Sequence, residues 1–268
     1  IYVNLRPNYV QAFVFWTRNP YPLFKYLDYI DDVYNSSHYM HITINGQPKE
    51  FEIRNPKTDF VIKYVEKLAY RYGKHYVQWR YDPIILSSLT NELYIYDKFE
   101  ELAKKLSPIV NKCITSFVDF YNKTKKNLYT LYRNNNIQFY DPNRDKKIKI
   151  IKNLQDIAKN YKLNLEVCTE PDFLQEDNII KTHCIDIELV RKISNDPNFY
   201  SEISPTREAC LCFSAKDIGY FNSCPHGCVY CYANKDPEVA FQNSKIYRKT
   251  GFKFDDSNEP DQEIDLFG

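Results

Sequence analysis

Glycine is scarce in this chain, with only 6 among 268 residues, and no Gly-x-Gly-x-x-Gly segment follows any predicted strand. That fingerprint cradles the pyrophosphate of dinucleotides, so its absence argues against a Rossmann-type nucleotide-binding domain. The chain also lacks an excess of charge of either sign, because 36 basic side chains face 35 acidic ones. The overall charge therefore indicates no particular partner, and only local charge is informative.

Long apolar runs are missing as well. No run approaches the ~20 residues that cross a bilayer, and the first residues lack the charged and apolar regions of a signal peptide. We therefore expect a cytoplasmic protein without membrane contact, in which thiols stay reduced. Under those conditions the 8 cysteines, concentrated toward the C-terminus, are more readily metal ligands than disulfide partners.

Segments with strand and helix periodicity alternate along the chain. We predict strands over 11–18, 40–44, 76–81, 112–119 and 163–168, and helices over 23–33, 59–72, 92–106 and 148–161. Alternation of this kind predicts an α/β fold, specifically a partial (β/α) TIM-type barrel of about six parallel strands. We divide the chain into a barrel over 1–200, a cysteine-rich cluster-binding segment over 201–234 and an acidic tail over 235–268.

Polar side chains stand at the ends of the predicted strands, where (β/α) barrels build their active sites. Arg80 and Asp82 stand at the end of one strand, and Asp119 ends another. Arg80 and Asp82 could grip the carboxylate and the amine of an amino acid, or they could pair with each other at the rim of the barrel. We take these three residues as catalytic candidates.

Three cysteines, Cys224, Cys228 and Cys231, lie within eight residues. A 4Fe-4S cluster has four irons, so three thiolates leave one iron open to a ligand that is not protein. A single zinc ion needs four ligands in a tetrahedron, which one short loop does not readily supply. Zinc completed by Cys210 and Cys212 is the alternative.

Four further cysteines, Cys168, Cys184, Cys210 and Cys212, would complete the ligand set of a second, closed 4Fe-4S cluster or of a zinc ion. For Cys168 and Cys184 the alternative is a buried thiol in the core. We expect Cys113, in an apolar strand, to be part of the core.

Residues 122–152 contain nine Lys or Arg against two Asp, with four aromatic side chains among them. Such a mixture is typical of surfaces that bind phosphates and stack bases. The segment therefore predicts a nucleic-acid contact, or else a solvated insertion between a strand and its helix.

The chain resembles an uncharacterised microbial family, a domain of unknown function, whose C-terminal cysteines are similar to the motif of radical S-adenosylmethionine (radical SAM) enzymes. The stretches that carry the resemblance are residues 15–20 with 22–23, 79–85, 116–119, 184–186 and 217–234. The segment from Arg80 to Pro83 also resembles one in spore photoproduct lyases, which are radical SAM enzymes that repair DNA.

The resemblance implies a radical enzyme. Its 4Fe-4S cluster, held by the three neighbouring cysteines, would bind S-adenosylmethionine and cleave it to a 5′-deoxyadenosyl radical that abstracts hydrogen from the substrate, with nucleic acid as one substrate class. Tyr230 would pack near the adenine, and Thr17 and Arg18 would line the cofactor pocket. A reductant such as ferredoxin or flavodoxin would be the protein partner.

Two features depart from the ordinary radical SAM pattern, in which the cysteines follow the first strand and a Gly-Gly-Glu-like segment follows the second. Here the cysteines come late and no Gly-Gly pair exists. Family members begin with a further strand before the segment that matches residue 1, so we expect a barrel open at one side. The competing classes are a nucleic-acid-binding protein with structural iron–sulfur or zinc sites, and an electron-transfer or sensor module.

Overall fold

A computed structural model describes residues 3–168, 170–206 and 208–250 of the chain. Its strands are β1 (Phe13–Thr17), β2 (His38–Thr43), β3 (Val77–Ile84), β4 (Leu86–Ser87), β5 (Lys112–Phe117), β6 (Phe139–Tyr140) and β7 (Asn164–Val167). Five of them form one parallel sheet in the order β1-β2-β3-β5-β7. The short strands β4 and β6 form a separate antiparallel pair.

Helices connect and flank the parallel strands. They are α1 (Leu27–Tyr34), α2 (Thr58–Tyr72), α3 (Glu92–Leu106), α4 (Asn122–Asn135), α5 (Arg144–Asn160), α6 (Ile187–Ser194) and α7 (Pro237–Thr250). Two begin with an asparagine cap: the side chain of Asn91 accepts a hydrogen bond from the Tyr94 amide, and that of Asn143 accepts one from the Lys146 amide. Such caps satisfy amides that the first helical turn leaves without partners.

The core lies on both faces of the sheet, as expected for parallel strands covered by helices. Residues 38–42 of β2 and 77–81 of β3 are buried without alternation. Trp79 is fully buried, stacks on Phe99 of α3 with ring centroids 5.3 Å apart, and donates its indole N–H to the Ile44 carbonyl at 2.7 Å. Cys113 belongs to this core, which confirms the expectation for it.

The structure confirms the α/β class and the parallel sheet, with strand bounds within a few residues of the predicted ones. The position beyond β7 carries no sixth strand among the described residues, but Lys181 forms a single parallel bridge to Val167. The helix predicted from residue 23 is a 3₁₀ helix over Tyr21–Tyr26 and becomes α-helical at Leu27. β3 extends past the predicted end, through Pro83 to Ile84.

Two segments differ from the sequence prediction: the insertion before α5 and the C-terminal part of the chain. The insertion between β5 and α5 contains the 14-residue helix α4, and residues 237–250 form α7, neither of which the sequence pattern revealed. The acidic side chains from residue 255 onward lie outside the described residues. In the described ranges, no helix has the length and apolar character needed to span a membrane.

Candidate functional site at the carboxyl edge of the sheet

All five strands of the sheet are parallel, so their carboxyl ends meet at one edge. Residues that end the strands at this edge include Arg18 after β1, Asn45 after β2, Asp82 in β3, Ser116 in β5 and Cys168 after β7. Cysteines from the C-terminal part of the chain pack against the same edge in two groups.

The first group is the three-cysteine loop, residues 224–231, which docks on the connection between β2 and α2. The Val229 amide donates to the Phe51 carbonyl at 3.0 Å, and the Arg54 amide donates to the His226 carbonyl at 3.0 Å. Glu52 and Cys228 form an antiparallel bridge between these two bonds. The loop is therefore held in place by backbone pairing with the segment that connects β2 to α2.

Local residue types explain why the loop can turn so tightly. Gly227 has φ +71°, in the left-handed region, and a Cβ there would lie 2.9 Å from the Nη1 atom of Arg54. The buried side chain of Asn234 donates to the Cys224 carbonyl at 2.9 Å and closes the far end of the loop. Glycine at this position thus allows the close approach of the loop to Arg54.

A buried polar network lies beside Cys228. The guanidinium of Arg18 pairs with the Glu52 carboxylate at 2.7 Å and donates to the Tyr230 hydroxyl, which in turn donates to Glu52. Burial lowers the pKa of Arg18, but Tyr230 and Glu52 outweigh it and raise the pKa above its usual value. Burial also raises the pKa of Tyr230 well above its usual value, so this hydroxyl keeps its proton.

The thiols of the three-cysteine loop interact electrostatically with one another. Burial raises the pKa of Cys224, and it raises the pKa of Cys228 to about 12. Because metal binds the thiolate, loading this loop with metal must release protons from these cysteines.

The second group, the four-cysteine group, consists of Cys168, Cys184, Cys210 and Cys212. The Sγ atoms of Cys168 and Cys184 are 3.1 Å apart, and the Cys184 amide donates to the Cys212 Sγ at 3.2 Å. Cys210 interacts with the Cys212 thiol. Three separate segments of the chain therefore meet here, as the sequence analysis required for a second site.

Hydrogen bonds lower the pKa of two of these thiols. The bond with Cys184 outweighs burial and lowers the pKa of Cys212. For Cys210, burial acts to raise the pKa, but hydrogen bonds from the Cys212 backbone and from Thr206 outweigh it and lower the pKa.

Arg80 and Asp82, both predicted as catalytic, form a largely buried ion pair with nitrogen to oxygen distances of 2.7 and 2.8 Å. Arg80 also donates to the Cys184 Sγ at 3.1 Å. The second oxygen of Asp82 accepts from the Ser116 hydroxyl. Of the two sequence interpretations, the ion pair is the arrangement that the structure contains, and it contacts the four-cysteine group directly.

Asn45 joins the two groups. Its amide nitrogen donates to the Asp82 carbonyl at 3.1 Å and to the Tyr230 hydroxyl at 3.3 Å, and its oxygen accepts from Arg18 at 3.3 Å. Asn45 is buried, so one polar network runs from Cys184 through Arg80 and Asp82 to Tyr230 in the three-cysteine loop.

The remaining predicted residues lie at the same edge with local partners. The Thr17 hydroxyl donates to the Asn19 carbonyl at 3.0 Å and accepts from the Asn19 amide at 2.9 Å, so both hydrogen bonds lie within the loop that follows β1. Asp119 is exposed and accepts from the Tyr121 hydroxyl at 3.2 Å.

Three polar residues at this edge were not among the predicted site residues. Asn45 directly follows β2, so the strand-end rule that selected Arg18 could have found it. Glu52 lies within a loop and had no sequence signal. Glu170 accepts from the Phe117 amide at 2.6 Å, and burial raises the pKa of its carboxyl to about 7.

The two groups contain enough cysteines for a metal centre each, but the described sulfurs are not spaced as in a loaded centre. No set of three or more His, Cys, Asp or Glu side chains within the described ranges is arranged to hold a single metal ion. At a Zn–S distance of about 2.3 Å, tetrahedral geometry requires sulfurs roughly 3.8 Å apart, whereas Cys168 and Cys184 are 3.1 Å apart. Thiolates on separate irons of a cube stand farther apart than thiolates on one zinc ion, so Cys168 and Cys184 would have to move apart to bind either centre. All eight cysteines are described, and none forms a disulfide.

These features define the class: an α/β protein with seven cysteines gathered at the carboxyl edge of a parallel sheet. The model of a family described as Domain of unknown function (DUF1848) matches residues 1–233, so the chain belongs to that family. No curated protein and no solved structure matches the chain. Membership of an uncharacterised family is therefore confirmed, while the likeness to radical SAM enzymes and to spore photoproduct lyase stays a prediction.

Proposed function

We propose that the chain is an iron–sulfur enzyme of the radical SAM type, built on a partial (β/α) TIM-type barrel. The sheet supports the barrel, because its five parallel strands follow one another in chain order without the reversal of a doubly wound sheet. An active site at the carboxyl edge is the general rule for such barrels.

One observation carries the proposal: the three-cysteine loop is docked at that edge, against the buried pair of Arg18 and Glu52. When bound, a 4Fe-4S cluster with an open iron supplies the electron that cleaves S-adenosylmethionine to methionine and a 5′-deoxyadenosyl radical. Arg18 and Glu52 are a positive and a negative group beside Cys228; they would have to exchange their mutual ion pair for contacts with the carboxylate and the amine of an amino acid.

The other residues of the edge have supporting roles in this proposal. Tyr230 orients Arg18 and Glu52 through its hydroxyl, and Thr17 fixes the turn that follows β1. Arg80 and Asp82 position Cys184, and Asp119 stays a candidate for contact with substrate.

We further propose that the four-cysteine group holds a second, closed cluster that receives electrons from a reductant such as ferredoxin or flavodoxin. Four thiolates complete such a ligand set. The Arg80 guanidinium beside Cys184 offsets the negative charge that the thiolates would bring into a buried site. Zinc is the alternative occupant of this group.

The test is anaerobic analysis of iron and sulfide in the purified full-length chain, followed by reduction with dithionite in the presence of S-adenosylmethionine. We expect about eight irons for two 4Fe-4S clusters and formation of 5′-deoxyadenosine. A Cys113→Ala variant is the matched control, because Cys113 is a core residue that belongs to neither group, and it should retain the iron. Zinc without iron would overturn the proposal, and reversible reduction without 5′-deoxyadenosine would identify an electron-transfer or sensor module instead.

A further inference from the structure

Helix α4 presents a basic and aromatic face to solvent. This α4 face consists of the exposed side chains Lys123, Lys125, Lys126, Tyr129, Tyr132 and Arg133. We propose that the α4 face binds single-stranded nucleic acid and brings it to the three-cysteine loop; only the chemistry that follows binding rests on the proposed function.

The structure divides the basic segment of residues 122–152 into two parts with different behaviour. On α5, four of the five basic side chains within the segment have acidic partners: Lys146 pairs with Glu92 at 2.9 Å, Lys147 pairs with Asp172 at 2.9 Å, Arg144 pairs with Glu176, and Lys149 pairs with Glu92 at 3.8 Å. The basic side chains of α4, by contrast, form no close ion pair with any described residue, although Lys126 interacts electrostatically with the Asp236 carboxylate. The excess positive charge of the segment is therefore concentrated on α4.

The cations and rings of the α4 face are interleaved at helical spacing. Lys125 and Arg133 stand four residues before and after Tyr129, so all three share one side of the helix. The side chains of Tyr129 and Tyr132 are 59% and 44% exposed, and their ring centroids are 6.3 Å apart. Cations that contact phosphates beside rings that stack on bases are the combination by which proteins bind single strands.

The same helix is poorly suited to a membrane surface. Its apolar side chains face the protein, since Leu128 is buried in a cluster with Phe51, Ile85 and Val229, and Leu131 packs against that cluster. An interfacial helix would instead need its apolar face free to enter the lipid. The exposed side of α4 thus favours a polyanion with stacking groups over an anionic bilayer.

The charge distribution is unfavourable for the helix itself. Three lysines lie in its first turns, the first turn carries no acidic residue, and the side chain of Tyr121 makes no capping hydrogen bond to the helix. Because the N-terminal end of a helix is the positive end of its dipole, these lysines destabilise α4. Helix stability therefore does not explain the lysines, whereas binding of an anion does.

The inner side of α4 contacts the candidate site. The Asn127 amide nitrogen donates to the Val229 carbonyl at 3.1 Å, and Leu128 shares a buried cluster with Val229, against which Tyr230 packs. A helix with its side chains is about 10–12 Å across. A strand bound on the α4 face would consequently pass about one helix diameter from the three-cysteine loop.

The test is titration of a fluorescein-labelled oligo(dT) of about 12 nucleotides with the full-length chain, followed by fluorescence anisotropy at several salt concentrations. The triple variant Lys123→Gln, Lys125→Gln, Lys126→Gln should bind at least about tenfold more weakly. The slope of its log affinity against log salt concentration should be less negative by about 2, since each lost contact to a single strand removes about 0.7 from the slope.

The matched control removes three exposed lysines elsewhere, with Lys63→Gln, Lys74→Gln and Lys104→Gln. This variant loses the same charge and should bind within about twofold of the parent chain, because long-range charge is screened at physiological salt. The double variant Tyr129→Ala, Tyr132→Ala should bind at least about fivefold more weakly with an unchanged salt slope, since it removes stacking but no phosphate contact.

Equal weakening in the two triple variants would overturn the inference, as would absence of oligonucleotide binding at 50 mM salt. Binding to anionic vesicles or to an acidic peptide with the same dependence on the α4 lysines, and none to oligo(dT), would assign the α4 face to that other partner. Circular dichroism melts verify folding, and the tyrosine variant keeps the test valid if the lysine variant unfolds. Iron content and 5′-deoxyadenosine are measured on the same proteins, so loss of binding with both retained separates this surface from the proposed chemistry.

Discussion

The three-cysteine loop and the four-cysteine group lie at the same edge of the sheet, and each contacts a buried arginine that is paired with a carboxylate. Arg18 and Glu52 stand beside the loop, and Arg80 and Asp82 stand beside the group. Arg80, however, donates directly to a cysteine sulfur, whereas Arg18 donates to Tyr230 and Asn45. The two sites thus contain the same kinds of residue, but their hydrogen bonds connect these residues differently.

The thiols of the two sites also differ in their pKa. Burial raises the pKa of Cys224 and Cys228 in the loop, while hydrogen bonds lower the pKa of Cys210 and Cys212 in the group. For Cys184 the hydrogen bond with Cys168 acts to lower the pKa, but the bond with Cys212 and burial outweigh it and raise the pKa. Cys210 and Cys212 are therefore closer to the thiolate state that binds metal than Cys224 and Cys228 are. The two sites at this edge can therefore differ in how readily they bind metal.

Deletion of each site separately should produce the largest difference between them. We expect Cys224→Ala, Cys228→Ala, Cys231→Ala to lower the iron from about eight to about four and to abolish 5′-deoxyadenosine, because an open iron requires this loop. Alanine at all four cysteines of the group should also remove about four irons. Iron and sulfide analysis checks both, and full iron in either variant would contradict the two-site interpretation.

The two arginines offer the next largest effect. Arg80→Met and Arg18→Met each leave a mostly buried carboxylate without its cationic partner, so each should lower the free energy of unfolding by about 3–5 kcal/mol. Urea denaturation measures the loss, and adding Asp82→Asn to Arg80→Met should restore part of it. A change below about 1 kcal/mol in either single variant would show that its ion pair is effectively solvated.

Removal of the Tyr230 hydroxyl should have a smaller effect. Tyr230→Phe keeps the ring but leaves Arg18 and Glu52 without the hydroxyl that bridges them. We expect a loss of about 1–3 kcal/mol, measured by urea denaturation. The control is Tyr200→Phe at an exposed tyrosine, which should stay within about 0.5 kcal/mol. Equal stability of both variants would remove Tyr230 from the network.

Thiol reactivity should show the smallest difference. In metal-free protein, Cys212 should react with iodoacetamide several-fold faster than Cys224 near pH 7.5, because its lowered pKa gives more thiolate and the raised pKa of Cys224 gives less. Both side chains are partly exposed, which makes them a fair pair. As the pH rises, Cys224 also ionises, so the difference between the labelling rates of Cys212 and Cys224 should become smaller. Mass spectrometry of labelled peptides at pH 7 to 9 measures the two rates. A gap that widens with pH would contradict the assigned directions.

The fold was largely predictable because its signals are local. Apolar runs that end in polar residues located β1, β2, β3, β5 and β7 within a few residues, and their separation by helices implied parallel pairing. α4 was missed because its surface is unusually basic and asparagine-rich, which hides the apolar period of Leu128 and Leu131. The 3₁₀ start at Tyr21 follows a proline pair, which pattern rules treat as an ordinary helix start.

The site was predictable only in part. Cys224, Cys228 and Cys231 reveal themselves by spacing, and Arg18 by its position after a strand. Glu52 has no local signal, since only the docking of the loop turns it toward Cys228. The contact between Arg80 and Cys184 joins residues 104 positions apart, so no sequence window contains both.

The amino-acid sequence by itself determined the α/β class, the parallel order of the strands and the three neighbouring cysteines, because periodicity and spacing act over short stretches of chain. Only the tertiary structure decided that four distant cysteines meet, that Arg80 is paired with Asp82 rather than left open, and that the charge of α5 is neutralised while that of α4 is not. These outcomes depend on which side chains share a buried volume or a surface after folding, and that is a property of long-range contacts rather than of any segment.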